Sequence, residues 1–204
     1  MEKLVYSLWP PGELTGDQFR DELLGQLAPK LAEIAAVHAA RLTVADSAVA
    51  PAAARRMGSH APLPAAVLSL WVDSAGVADS WEPLIDQHVE RKSCYLVAEA
   101  EPLISQRTHP SAPSERVYGM CQVVFLRKPV TLDRDEWLAI WKGSHTPIAI
   151  ATQSTFGYRQ NLVVQALGES ALAFDAIVEE NFPPEAMTSD HAFYETGGSE
   201  QVLQ

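Results

Sequence analysis

The first half of the chain alternates short apolar runs with amphipathic stretches. Residues 3–9 are almost all apolar and stop at a Pro-Pro-Gly turn, which predicts a strand. A helix should follow, because Thr15 is a suitable N-cap and apolar residues recur after it at helical spacing. These apolar residues are Phe19, Leu23 and Leu27. Pro29 predicts a kink or the start of a second helical segment.

The same alternation continues to residue 103 and predicts one complete folding unit. Further strands are expected at 39–49, 65–74 and 93–103, with a helix at 76–90. Residues 50–64 are rich in alanine and proline and predict a loop. The order β-α-β-β-α-β over residues 1–103 is that of a ferredoxin-like unit. The polar segment 104–116, which contains prolines, predicts a linker.

The second half begins the same pattern again. Strands are predicted at 117–129, 156–167 and 172–182, and helices at 132–154 and 183–193. A shift of 118 residues aligns 5–41 with 123–159 and brings identical residues together at strand ends, turns and helix ends. The aligned pairs include Gly25 with Gly143 and Pro29 with Pro147. The alternative is that two amphipathic α/β segments look alike by composition.

The repeat predicts an α+β fold of two tandem ferredoxin-like units, a degenerate one at 1–103 and a second at 117–204. Each unit would leave one apolar sheet face bare, and such a face must be buried. We therefore expect the two units to pack sheet to sheet as an intrachain dimeric α+β barrel, with the functional site in the space between the sheets.

Composition limits the partners that can be expected. Of 204 residues, 47% are hydrophobic and 20% charged, and the formal net charge is −11, so nucleic acid and anionic membranes are poor partners. No apolar run approaches the roughly 20 residues that span a bilayer. The N-terminus carries no secretory pattern and the two cysteines no disulfide pattern, which favours reduced thiols and a cytoplasmic location. The expected partner is a small hydrophobic ligand, bound by a monomer or a homodimer.

Several motifs of the second half occur in a characteristic order. "DEWLAIW" precedes "HTPIA", then "GYRQN", then an Asp-x-x-x-Glu-x-x-Phe run. This order over about residues 117–185 resembles the EthD-like family of the dimeric α+β barrel superfamily. The resemblance implies a ferredoxin-like barrel and reactions on aromatic compounds or polyketides without an obvious cofactor. For many members no reaction is established, so the resemblance is a better guide to fold than to chemistry.

His145 is the main candidate for catalysis. It follows Trp137 and Trp141 at helical spacing, whereas the first half has Leu27 at the equivalent position. Packing at this position therefore does not require an imidazole, and a histidine can transfer a proton near neutral pH. We expect its ring in apolar surroundings, which would keep it neutral. The alternative is a histidine bonded to the backbone.

Other candidates lie on the predicted strands. Asp175 and Glu179 share one strand face with Asn181 and would look into the barrel, whereas the alternate residues are apolar or small apart from Glu180 and should face the helices. A salt bridge to Arg159 is the alternative for the acids. Periodicity separates Tyr158 and Gln160 from Arg159 and Asn161 without showing which pair lines the interior, and we favour the first pair. The candidate catalytic residues are His145, Asp175, Glu179 and Tyr158; those for substrate binding are Trp141, Trp137, Gln160, Gln122 and Asn181.

Cofactor motifs are not apparent. The other histidines make no metal-ligand spacing, so we predict no metal, and no glycine-rich nucleotide motif is present. Together with these absences, the resemblance to EthD-like proteins implies a cofactor-independent enzyme that carries out decarboxylation, cyclisation or oxidation on a small aromatic or polyketide-like compound. The alternatives are a non-catalytic binding protein for a hydrophobic metabolite and, third, a haem-binding barrel with His145 as axial ligand.

Overall fold

The computed structural model describes residues 1–58, 61–168 and 171–203, and these residues form two compact units. Unit 1 comprises Met1–Ala98 and Val163–Ala173; unit 2 comprises Glu99–Leu162 and the chain from Phe174 onward. The units divide inside a strand rather than in the predicted linker 104–116, which contains a short 3-10 turn at Ser105–Arg107. Each unit is described separately below.

Seven strands are found among the described residues, all in one antiparallel sheet. They are β1 (Glu2–Trp9), β2 (Val37–Val44), β3 (Ala66–Val72), β4 (Arg91–Leu103), β5 (Met120–Leu126), β6 (Gly157–Leu167) and β7 (Ala176–Phe182). The strand order is β2-β3-β1-β4-β6-β7-β5. This confirms a mixed α+β fold, while two tandem ferredoxin-like units that pack sheet to sheet stay a prediction. The predicted strands at 3–9, 65–74, 93–103 and 156–167 lie within one or two residues of the observed bounds.

The first helix of unit 1 has three parts. They are α1 (Gly16–Glu22), a π-helical turn (Leu23–Leu27) and α2 (Ala28–Ala32). Thr15 forms a capping box with Gln18: its hydroxyl accepts from the Gln18 backbone N–H, and its own N–H donates to the Gln18 side chain. Pro29 stands in the first turn of α2, where its missing N–H costs no helical bond. The predicted N-cap and the predicted second segment are thus confirmed.

The core of unit 1 lies between this helix and the sheet. The stripe Phe19, Leu23, Leu27 and Leu31 is buried against Leu4, Leu8, Leu68 and Leu70 of β1 and β3. Each of these side chains is almost completely withdrawn from water, and burial of each contributes roughly 1.5–3 kcal/mol. The strand order β2-β3-β1-β4 of this unit is the one that a ferredoxin-like β-α-β-β-α-β unit forms.

Two other predictions for unit 1 need correction. A 3-10 helix spans Ser47–Arg55 and so overlaps the start of the predicted loop 50–64. Asp46 caps this helix, because its side chain accepts a hydrogen bond from the Ala48 backbone N–H. The predicted helix 76–90 is shorter and broken, because a 3-10 segment (Ala75–Ser80) precedes α3 (Glu82–Asp86). Local proline and glycine content explains why neither segment forms a long α-helix.

Unit 2 repeats the first helix of unit 1 closely. It has α4 (Arg134–Ile140), a π-helical turn (Trp141–His145) and α5 (Thr146–Thr152). The start of α4 and both bounds of its π-turn lie 118 residues after their counterparts in unit 1. Asp133 also forms a capping box, with Glu136. After β7 come a 3-10 turn (Pro184–Met187), α6 (Asp190–Phe193) and α7 (Glu200–Leu203).

Candidate functional site

The side of the unit 2 sheet that faces the helices carries an unusual row of polar residues. In the antiparallel register, Glu180 of β7 stands opposite Gln122 of β5 and opposite Tyr158 of β6. Directly opposite residues in such pairs have Cβ atoms about 4.5–5.5 Å apart. The neighbouring pair on the same face is Gln160 with Val178. Four polar side chains therefore lie on this face, with Gln122, Glu180 and Tyr158 side by side and Gln160 next to them.

Two tryptophans from the helix cover this surface. Trp137 and Trp141 lie one helical turn apart, and their rings stack with centroids 5.2 Å apart and planes 20° from parallel. Both are buried, and they pack with Tyr158 in one cluster. Its other buried members are Ala149, Ala176 and Val178; its half-buried members are Leu103, Val124, Leu126, Leu132, Leu138, Ile150 and Leu162. The cluster gives the polar row a planar aromatic and aliphatic lining.

The π-helical turn brings Thr146 into this layer. The Thr146 backbone N–H and hydroxyl both donate to the Trp141 carbonyl, the hydroxyl at 2.8 Å. The same hydroxyl accepts from Nε2 of Gln160 at 2.7 Å. A π-turn is rare in proteins and occurs frequently at functional sites. Here the turn ties the helix to β6 through the amide of Gln160, which fixes the orientation of that side chain.

Tyr158 lies deep in the cluster, with its side chain almost fully buried. Burial raises the pKa of its phenol above the ordinary value, an effect that the nearby Thr146 hydroxyl opposes and that the Glu180 carboxyl adds to. The indole Nε1 of Trp141 is close enough to lower the pKa of Tyr158, yet it has no hydrogen-bond partner in the described part of the chain. The phenol is therefore a neutral O–H donor at neutral pH.

Glu180 is the acid of the row. It is 9% exposed, and no hydrogen bond or ion pair joins its carboxyl to another described residue. Burial raises the pKa of this carboxyl to about 7. A buried carboxyl without a partner favours its protonated form, because the charged form is poorly solvated.

The opposite face of the same strands carries a charged network that is fully engaged. Nε of Arg159 lies 2.8 Å from the Glu99 carboxylate, and its Nη2 pairs closely with Glu101. Nη1 of Arg159 lies 3.5 Å from Glu179, which also accepts from the Asn161 amide at 3.0 Å. This network pairs each charged side chain with an opposite charge, so its simplest role is to stabilise unit 2.

The structure divides the predicted site residues into separate groups. Tyr158, Gln160, Gln122, Trp137 and Trp141 come together on the helix-facing side of the sheet. For Tyr158 and Gln160 this corrects the expectation that they look away from the helices. Glu179 and Asn181 lie on the other face, as expected from their alternation with the apolar residues.

Asp175 and His145 belong to neither group. The carboxylate of Asp175 accepts from the Lys128 backbone N–H at 2.7 Å, which closes the turn at the ends of β5 and β7. His145 ends the π-turn with an exposed side chain, so the expectation of a ring in apolar surroundings is wrong. Thr146 takes the buried position instead, because its hydroxyl finds two partners there.

Two polar residues of this layer were not among the predicted site residues, Glu180 in the row and Thr146 on the helix. The signal for Glu180 was present, since it is the ionisable exception among the apolar residues on its strand face. Thr146 gave no comparable signal, because its burial depends on the π-turn. Within residues 1–58, 61–168 and 171–203, no group of three or more metal-ligating side chains comes together. His60 lies outside the described residues.

Comparisons with known proteins bear on the fold. No family model matches the chain, and no curated protein is similar to it at a significant level. A solved structure described as an anthrone oxidase-like protein shares 10% sequence identity and a TM-score of 0.57, over 99% of this chain and 81% of that one. This likeness shows a common fold. In the described part of the chain, no helix has both the length and the apolar character of a membrane span.

Proposed function

We propose that this chain is a cofactor-independent enzyme that transfers protons on a small hydrophobic aromatic or polyketide-like compound, and that unit 2 carries the site. The observation that supports this most is the buried phenol of Tyr158 beside two further polar side chains under a stacked tryptophan pair. Polar groups that converge in an apolar, aromatic-lined layer are typical of ligand sites.

The parts of the site have distinct chemical roles. Trp137 and Trp141 offer flat apolar surface on which a planar ring can stack. The Tyr158 O–H donates a hydrogen bond to a substrate carbonyl, and this bond strengthens as negative charge develops on the oxygen. Gln160, held by Thr146, and Gln122 on the neighbouring edge strand orient the remaining polar groups of the substrate.

His145 has a peripheral role in this proposal. Its exposed ring lies at the π-turn, where it can pass a proton between the site and water. Asp175 and Glu179 are left out of the proton transfer, because the first holds a backbone N–H and the second an arginine. Asn181 is half-buried on the face of Glu179 and has no role in the transfer.

The proposed relationship to EthD-like proteins, as a tandem duplication, rests on the repeat of 118 residues. Each unit contains the same capping box, π-turn and second helical segment, and both strand orders follow the same scheme, β2-β3-β1 in unit 1 and β6-β7-β5 in unit 2. The solved structure with a common fold is described as an anthrone oxidase-like protein. This description favours polycyclic aromatic ketones among the candidate substrates.

The test is turnover on a panel of anthrones and linear aromatic polyketones, with binding followed by tryptophan fluorescence. Tyr158→Phe should lower turnover roughly 10²-fold if the phenol stabilises developing charge. Tyr194→Phe, a change at an exposed ring, is the matched control and should keep full activity. Binding without turnover would favour the non-catalytic alternative, and neither binding nor turnover across the panel would contradict the proposal.

A further inference from the structure

We propose that the carboxylate of Glu180 is the group that accepts the substrate proton in unit 2. This inference rests on the proposed function and assigns the base that a proton-transfer reaction needs. Glu180 lies on β7, the central strand of the row, between Gln122 of β5 and Tyr158 of β6.

The surroundings of Glu180 differ from those of other acids in unit 2. Glu179, the preceding residue, points to the other face and contacts Arg159 and Asn161. Asp175 accepts from a backbone N–H. The Glu180 residue is 9% exposed, and no cation or hydrogen-bond donor partners its carboxyl within the described ranges. A buried acid is normally paired, so one that is not paired calls for another explanation.

The groups around Glu180 leave its protonation sensitive to a ligand. The titratable group facing it from β6 is Tyr158, whose phenol is neutral, and the group facing it from β5 is the uncharged Gln122. The buried residues of the covering helix, Trp137, Trp141 and Thr146, carry no charge. Burial is what raises the pKa of Glu180 to about 7, so both protonation states are populated near neutral pH.

The proton transfer balances without an oxidant or a metal. The Glu180 carboxylate takes a proton from an acidic carbon conjugated with the carbonyl of an enolisable aromatic ketone, such as the ring CH₂ of anthrone opposite its carbonyl. The C–H bond breaks, an O–H bond forms on Glu180, and the electron pair moves through the carbon framework to the carbonyl oxygen. Tyr158 donates a hydrogen bond to the resulting enolate oxygen. Glu180 then returns the proton to carbon or passes it to water.

The carboxyl can be tested without any substrate. In protein labelled with ¹³C at the glutamate carboxyls, NMR titration should show one resonance with a midpoint near pH 7. That resonance should be absent from Glu180→Gln and present in Glu185→Gln, a control at an exposed glutamate five residues along the chain. Glutamine keeps the size of the side chain, so the fold should be retained. If all glutamates titrate in their ordinary range, the inference is overturned.

The transfer itself is tested by hydrogen–deuterium exchange at the acidic carbon of anthrone in D₂O, followed by ¹H NMR. The wild-type protein should accelerate exchange, Glu180→Gln should lose roughly 10²–10⁴-fold of that acceleration, and Glu185→Gln should keep it. Equal exchange by Glu180→Gln and wild type would overturn the role of Glu180 while leaving the proposed function in place. If the wild type fails with anthrone and the rest of the ketone panel, the proposed function fails, and with it the role of Glu180 as base, whatever the carboxyl titration shows.

Discussion

The helix–sheet layers of the two units have the same backbone frame and different contents. In unit 1 the stripe along the helix consists of Phe19, Leu23, Leu27 and Leu31, and all four are buried. In unit 2 the equivalent positions are Trp137, Trp141, His145 and Ala149, of which the third is exposed. The same backbone therefore carries an unbroken apolar stripe in unit 1. In unit 2 it carries two buried tryptophans followed by an exposed histidine.

Their buried polar groups differ even more. In unit 1 the Tyr6 hydroxyl donates to the Glu82 carboxylate at 2.7 Å and accepts from the Trp81 indole at 2.9 Å. Lys92 completes this cluster with an ion pair to Glu82. In unit 2, the buried Trp141 indole nitrogen has no hydrogen-bond partner among the residues described, and the pKa of Glu180 is shifted by burial rather than by a bonded partner. A closed network of this kind stabilises a fold, whereas an open one leaves groups available for a ligand.

The largest expected effect concerns the charged face of unit 2. Arg159→Met should lower the free energy of unfolding by about 3–5 kcal/mol, because it leaves Glu179 buried without its cation. Urea denaturation at constant pH measures this. Arg134→Met changes an exposed arginine and should shift the free energy by less than about 0.5 kcal/mol. A similar small shift for Arg159→Met would show that the network does not stabilise the unit.

A reciprocal exchange between the units tests the difference in the third stripe position. Leu27→His should destabilise by about 2–4 kcal/mol, since it removes a buried aliphatic side chain and buries an imidazole. His145→Leu should change stability by less than about 0.5 kcal/mol, because the side chain is exposed. Thermal and urea unfolding of both variants provide the comparison. Equal losses would mean that the two positions are equally buried in solution.

A pair of tyrosine variants separates the two polar clusters. Tyr6→Phe leaves the Trp81 indole without a partner and removes one of the bonds to Glu82, and it should cost about 1–3 kcal/mol of stability with no loss of turnover. Tyr158→Phe should cost less stability, because Thr146 keeps its bonds to Trp141 and Gln160, yet it should lower turnover. If Tyr6→Phe instead lowered turnover and Tyr158→Phe mainly lowered stability, the site would lie in unit 1 rather than in unit 2.

A smaller effect is expected for the exposed histidine. His145→Ala should lower turnover less than about tenfold, because water can replace an imidazole that only exchanges protons at the surface. The rate at several buffer concentrations checks this, since small buffer bases should restore the lost activity. A loss of 10²-fold or more without buffer rescue would place the ring in contact with the substrate.

Local signals predicted the fold elements well. Thr15 and Pro29 mark helix boundaries by their own backbone chemistry, so their positions follow from the sequence alone. The shift of 118 residues predicted the second helix from the first. The joining of seven strands into one sheet did not follow, because strand pairing depends on contacts between distant residues.

The site was predicted only in part, for a physical reason. Alternation along β6 separates Tyr158 from Arg159, but it does not show which of them faces the helices. That choice depends on Glu99 and Glu101, which are far away in sequence and pair with Arg159. The exposure of His145 depends on the adjacent Thr146 taking the buried position, which periodicity cannot distinguish from a regular stripe.

The central claim is that Glu180 is a buried carboxyl that holds or releases its proton near neutral pH. A folded-state pKa of about 7, against 4.5 for an ordinary glutamate, means that the folded protein binds more protons than the unfolded chain between these values. The contribution of Glu180 to stability is therefore complete below about pH 4.5 and falls by about 3 kcal/mol as the pH rises to 7 and beyond.

The most direct measurement is the free energy of unfolding of the wild type and Glu180→Gln from pH 4 to pH 8. Other titrating groups cancel in the difference between the two proteins. We expect the wild type to lose about 3 kcal/mol relative to the variant across this range, with most of the loss between pH 4.5 and 7. A difference that stays constant with pH would contradict the claim.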